Sequence, residues 1–350
     1  MKSLSLIARA RAGAPSGAGK VDLHARVANR FAWAVVIVLA AVPLYAAVAA
    51  QPYLQVLFTR IVILAIAAVS LDLILGVGGL VSFGHAVFFG IGAYATGMLV
   101  SHGVLNGWTH LGAVMLACAV VASVSGAIAL RTSGVGFIMI TLAFAQMFYF
   151  LAVSLRDYGG DDGFALDSGS RFGPLSLSNP NTLYTVAAIL LVALIAFGRQ
   201  FLRTPAGMTL GGIRINERRM RALGVPTARC KLAVYVVSAM ICGVAGMLFA
   251  NQTQFVAPSY MAWTMSGDLI VMVVIGGSGT IVGAVIGTLA LLLAEEVLKG
   301  MTEHWMLILG PLIVMAVLVS QRGIVGIGES CSARSEARRQ AHRVNEREQA

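Results

Sequence analysis

Charge is what this chain lacks most: Asp, Glu, Lys and Arg together supply 11% of its 350 residues, against 58% hydrophobic ones. A soluble domain carries roughly 25% charged residues, because a hydrated surface needs them. That shortage excludes a water-covered fold of this length, so the outer face meets lipid. Cysteine is scarce too. Cys118, Cys230, Cys242 and Cys331 show neither metal-ligand spacing nor a staple pattern. They read as small apolar fillers plus one tail thiol. No H-E-x-x-H or G-x-S-x-G run is present, so nothing supports an intramembrane enzyme or a catalytic residue. Residues 14–21, APSGAGKV, approach the phosphate loop G-x-x-x-x-G-K-[ST], but Ala14 replaces its first glycine and Val21 its magnesium-holding hydroxyl. No strand precedes the run, so it reads as a flexible basic leader. The chain itself is expected to bind neither cofactor nor metal.

Only helices and closed barrels satisfy every backbone polar group within lipid. Barrel strands alternate apolar and polar residues, whereas the apolar stretches here are continuous, as in 31–50 and 111–130. At about 20 residues each they match a helix-crossed bilayer. The expected fold is all-α, a polytopic membrane protein of about ten spans: 31–50, 61–77, 80–100, 111–130, 135–154, 182–198, 232–250, 266–277, 280–298 and 306–320. The eighth is short and reads as a tilted span or a buried half-helix. No cleavable signal peptide is visible in the polar, basic stretch before Phe31, so the first span is expected to remain as an anchor.

The net charge of +10 invites a nucleic-acid reading, but its distribution opposes one. Basic residues gather in the leader 1–30, in the loop 199–231 and in the tail 329–350. Clustering between spans marks cytoplasmic loops. The loop 199–231 sets Arg199, Arg203, Arg214, Arg218, Arg219, Arg221, Arg229 and Lys231 against Glu217 alone. The loop 156–181 carries Asp157, Asp161, Asp162 and Asp167 and is expected outside. With ten spans both termini fall in the cytoplasm. The transmembrane domain is expected over 31–328.

Three segments carry information. Residues 71–98 hold glycine at 76, 78, 79, 84, 90, 92 and 97, together with Asp72, Ser82 and His85. Small residues let helices approach closely in lipid, and glycine-broken helices flank transport paths. Ionisable groups inside a span face a bundle interior or a cavity. For His85 a path residue and a satisfied buried histidine are equally good readings. Residues 203–224 read as a loop and a basic helix, stopped by Gly224 before Pro226. Such a helix suits either a partner's groove or anionic headgroups. Residues 266–290 again alternate apolar runs with glycine, with Asp268 at the outer edge. At coarse resolution this repeats the first unit, which suggests an internal repeat, although the glycine spacings differ.

Several runs in order resemble one family. These are GLVSFGHAVFFGIGAYA (79–95), GFIMITLAFAQMF (136–148), GGDDG (159–163), TPAGMTLGGIRINERRMRALGV (204–225), KLAVYVVSAMICGVAGMLFA (231–250), IGGSGTIVGAVIGT (275–288) and WMLILGPLIVMAVLVSQRGIVGI (305–327). Together they resemble the permeases of branched-chain amino-acid ABC transporters over about residues 55–328. The resemblance implies a bacterial inner-membrane importer subunit. Its partners would be two cytoplasmic ATPase subunits that bind the ATP, a second related permease or a second copy, and a periplasmic solute-binding protein. It also implies an ATPase-coupling loop, for which Gly207, Arg214, Glu217, Arg221, Ala222 and Gly224 are the matching positions. The family usually has Asn where Asp72 stands and a Pro where Gln321 stands. Residues expected to line or gate the translocation path are Asp72, Ser82, Gly84, His85, Phe88, Gly92, Gly276 and Gly277. The alternative reading is a proton-coupled secondary transporter using Asp72, His85 or Asp268.

Overall fold

The computed structural model describes residues 52–319. The leader, the expected span 31–50, the tail and both termini lie outside the described residues. Eleven α-helices follow one another: α1 (Pro52–Asp72), α2 (His85–Ser101), α3 (Gly107–Ala129), α4 (Val135–Ser154), α5 (Pro180–Arg203), α6 (Pro205–Ile215), α7 (Glu217–Ala222), α8 (Thr227–Thr253), α9 (Trp263–Gly276), α10 (Ile281–Met301) and α11 (Trp305–Val319). A π-helical turn, Leu73–Val77, continues α1. Six of these stretches are long and apolar enough to cross a membrane, which makes this a multi-pass membrane protein. Two further expected spans, α2 and α11, are shorter apolar helices, and α9 is the short helix expected of the eighth segment.

Helix starts follow local chemistry. Asn106 caps α3 by accepting from the Trp108 amide at 3.0 Å. Asn179 caps α5 just ahead of Pro180. Thr204 and Pro205 do the same for α6, and Asn216 for α7. In each case a side-chain oxygen satisfies an amide that the first helical turn leaves without a partner.

The first described helix sits at the centre. In the span containing α1, 94% of the best window is buried by the rest of the chain, against 28%, 22% and 28% for α3, α4 and α5. Helix α1 packs on α5, α8, α9 and α10. These three outer helices, and α11 with Leu307 and Met315 exposed, are the ones whose apolar surfaces remain open to lipid or to another subunit. Glycine brings the inner helices together. A Cβ at Gly92 would strike the Gly243 carbonyl, and one at Gly246 would strike the Phe89 carbonyl, so α2 and α8 touch backbone to backbone. Gly276 meets Gly283, and Gly287 meets Met272, in the α9–α10 pair. This is the packing that small residues permit in lipid, where no hydrophobic force pulls helices together.

At one end, the segment between α4 and α5 folds over the helices. Two-residue strands β1 (Phe164–Ala165), β2 (Arg171–Phe172) and β3 (Leu175–Ser176) form there, and β1 pairs antiparallel with β4 (Phe255–Val256) while β2 pairs with β3. A buried polar cluster fixes it. Asn251 Nδ2 donates to Ser170 Oγ at 3.1 Å, and Asn251 Oδ1 accepts from the Ser170 amide at 2.7 Å. His110 Nε2 donates to the Val104 carbonyl at 2.8 Å, leaving Nδ1 to accept from Ser170 Oγ at 2.7 Å. The 24 residues of α5 separate this cap from α6 and α7 by about 36 Å, so the acidic loop and the basic loop lie at opposite ends.

The α2–α8 contact yields a direct test. Gly92→Leu has no room and is expected to lower the melting temperature of the detergent-purified chain, since overpacking costs about 1–3 kcal/mol. Gly112→Leu, with open space around it, is expected to leave the melt unchanged. Equal melts for both variants would remove close packing as the reason for Gly92.

Candidate functional site

Glycine-rich breaks from distant parts of the chain meet at one point. Where α1 widens into its π turn, the Gly79 amide donates to Leu75 and the Leu80 amide to Ile74. The Gly76 carbonyl is left over, and Arg214 Nη1, at the end of α6, donates to it. The stem of Arg214 lies across Gly79. Beside it, Asp72 Oδ1 accepts from the Gly279 amide at 2.8 Å. Gly277 and Gly279 take φ of 111° and 87°, a backbone that residues with a Cβ rarely adopt. The turn between α9 and α10 can thus present its amide to Asp72. Asp72 Oδ2 is buried with no hydrogen-bond partner.

Arg214 and Glu217 also line a cavity of about 500 Å³. Its walls include Gly78 and Gly79 from the first break, Ser278 from the second, Gly134 from the α3–α4 turn and Lys231 from α8. Glu217 Oε1 accepts from Arg221 at 2.6 Å and from Thr227 Oγ1 at 3.1 Å, and Oε2 accepts from Lys231 at 2.7 Å. Burial raises the Glu217 carboxyl, but the bonds from Lys231, Arg221 and Thr227 outweigh it and hold the group at about 2, against an ordinary 4.5. The basic loop is therefore fastened to the transmembrane body through its inward residues.

The expected coupling positions divide into two sets. Gly207 packs on the Phe201 carbonyl at the α5–α6 corner. Arg214, Glu217 and Arg221 make the bonds just given. Ala222 is exposed, and Gly224, with φ of 84°, ends α7 in open space. On the outward side stand apolar residues that sequence reasoning missed: Met208, Ile215 and Leu223 are 63%, 86% and 72% exposed. The exposed arginines Arg218 and Arg219 accompany them.

The expected path residues divide as well. Asp72 belongs to the junction. Gly277 forms its turn, and Gly276 packs under it. Ser82, Gly84, His85, Phe88 and Gly92 lie instead along the α2 contacts. Ser82 Oγ accepts from the Gly84 amide at 3.3 Å. Gly84 rests on the Thr141 carbonyl. Ser70 Oγ donates to Ala67 and so accepts from His85 Nε2 at 2.9 Å, which leaves the buried Nδ1 unpartnered. The Phe88 ring sits edge-on to both His85 and Tyr235. None of these five lines the cavity beside Arg214. Arg60 was also missed. It looked like the edge of an apolar segment, but α1 begins at Pro52 and carries Arg60 well inside the helix.

Residues 53–318 match the family described as branched-chain amino acid transport system / permease component. The LivM permease protein of the high-affinity branched-chain amino acid transport system of Escherichia coli (strain K12) is 28% identical, covering 76% of this chain and 68% of that one. The LivH permease protein of the same system and strain is 24% identical over 78% of this chain and 96% of its own. The fructose import permease protein FruG of Bifidobacterium longum (strain NCC 2705) is 26% identical over 51% of this chain and 58% of its own.

The depressed Glu217 carboxyl sets a pH window. Its folded value is below its unfolded one, so its contribution is complete above about 4.5 and lost as pH falls through about 2. The protection factors of amides in residues 216–226 in detergent, corrected for the intrinsic exchange rate at each pH, are expected to be high and constant above about pH 5 and to fall as the pH drops through that range. Glu217→Gln is expected to lack the extra protection throughout. A variant exchanging like the parent at pH 7 would show that these bonds do not fasten the loop.

Proposed function

Taking as premise that the chain belongs to the family of branched-chain amino acid transport system permease components, we propose that it is a membrane subunit of an ATP-driven importer. It carries branched-chain amino acids, or a related small amphipathic solute, into the cytoplasm of a bacterial cell. The relatives named for branched-chain amino acid transport support this substrate class. ATP is bound and hydrolysed on two separate subunits, a second permease or second copy completes the pore, and a solute-binding protein delivers the cargo from outside. The loop 199–231 faces the cytoplasm, as do both termini.

The observation that carries the mechanism is the reach of Arg214 from α6 to the Gly76 carbonyl. The outward face of α6 and α7, with Met208, Ile215 and Leu223 among arginines, docks on the ATPase. A displaced α6 then pulls on the π turn of α1 through Arg214, and the α9–α10 turn follows through the Asp72–Gly279 bond. Glycines at both breaks let these turns change shape without losing helix on either side. In this reading Asp72, Gly276 and Gly277 belong to the gate. Ser82, Gly84, His85, Phe88 and Gly92 form the packed face of α2 against which the gate moves.

The test uses the complete complex in proteoliposomes. Arg214→Ala is expected to leave ATP hydrolysis running while leucine uptake falls about tenfold or more, the scale of a lost charge-assisted hydrogen bond. Uptake at the parent rate would remove Arg214 from the coupling route. Uptake by the parent complex is expected to survive an uncoupler and to stop without ATP. The reverse pattern would replace the importer reading with proton-coupled transport.

A further inference from the structure

A second charged cavity, of about 540 Å³, opens beside the outer half of α1, between the start of α9 and the ends of α10 and α11. Arg60, Asp268 and Glu295 all line it, together with apolar wall residues such as Leu64, Met272 and Leu291. Its volume suits a small ligand. The charges are not equivalent. Glu295 pairs with Lys299, whose Nζ lies 4.6 Å from the centre of the Trp305 ring. Arg60 and Asp268 take part in no hydrogen bond or ion pair among the described residues, and Arg60 Nε is buried without a partner. Two opposite charges thus face one cavity without closing on each other, inside helices where an unpaired charge is expensive.

Unpaired opposite charges at a fixed separation are complementary to a ligand carrying both signs. A carboxylate accepts from the guanidinium of Arg60 through parallel N–H bonds. An ammonium on the same small molecule donates to the Asp268 carboxylate. The apolar walls leave room for a hydrocarbon side chain beyond these two anchors. We infer that this cavity is a binding site for the zwitterion of an apolar α-amino acid, held by Arg60 at its carboxylate and by Asp268 at its ammonium. The site lies on the approach to the glycine junction: Arg60 and Gly76 stand on the same helical rod, about 24 Å apart along its axis. The assignment rests on the transport reading above.

The experiment is leucine uptake by the complete importer in proteoliposomes, alongside ATP hydrolysis stimulated by the binding protein. Asp268→Asn and Arg60→Gln, close in shape to the parents, are each expected to lower uptake about 10- to 100-fold, as when a hydrogen bond to a charged group is lost. Stimulated hydrolysis should stay near the parent level, and the double variant Arg60→Met with Asp268→Leu should melt at or above the parent temperature while remaining inactive. Uptake within twofold of the parent in the single variants overturns the site. So does a phospholipid that co-purifies with the parent and is lost from Asp268→Asn with uptake unchanged, because the cavity would then hold a headgroup. A parent complex that takes up no leucine on ATP would instead sink the transport reading itself.

Discussion

A backbone carbonyl in an apolar interior cannot be left without a donor, and the one released at Gly76 organises much of this molecule. The π turn that ends α1 frees it, and Arg214 supplies the missing hydrogen. That requirement draws α6 against the bundle and places Arg214 beside Gly79 and Gly279. The Asp72 carboxylate answers the converse need by accepting from the Gly279 amide. Irregular backbone at such depth is tolerated only where protein satisfies it. Here each of the two glycine breaks is satisfied by a side chain from elsewhere in the chain.

Much of the architecture can be read from the order of residues. Apolar runs about as long as a bilayer is thick located every described helix except α6 and α7, because lipid imposes length and hydrophobicity directly. The shortness of the eighth segment was visible for the same reason, and α9 is 14 residues long. The basic helix before Gly224 was visible through its spacing and its stop, although Asn216 divides it into α6 and α7.

What escaped the sequence depends on partners far away along the chain. The partner of Arg214 escaped, because the Gly76 carbonyl it meets lies 138 positions away. His110, Ser170 and Asn251 share no local pattern, since their bonds cross 60 and 81 positions. Arg60 escaped because a lone charge marks the end of an apolar window, yet a helix in lipid can carry one inside when a cavity faces it. Exposure of Met208, Ile215 and Leu223 was equally invisible, because hydrophobicity alone does not say which face of a helix is covered.

The burial of α1 carries a consequence for biogenesis. Among the described helices, α1 is first to leave the ribosome, yet the elements that enclose it, α5, α8, α9 and α10, are made later. A nascent α1 must therefore wait in lipid or beside the insertion machinery with Arg60 and Asp72 exposed. The donor that Asp72 eventually meets, the Gly279 amide, is synthesised 207 residues afterwards. Insertion and folding are thus separate events for this chain. A product truncated before the α9–α10 turn would be threaded through the membrane yet retain an unsatisfied acid in α1, a mark by which quality control could tell unfinished chains from complete ones.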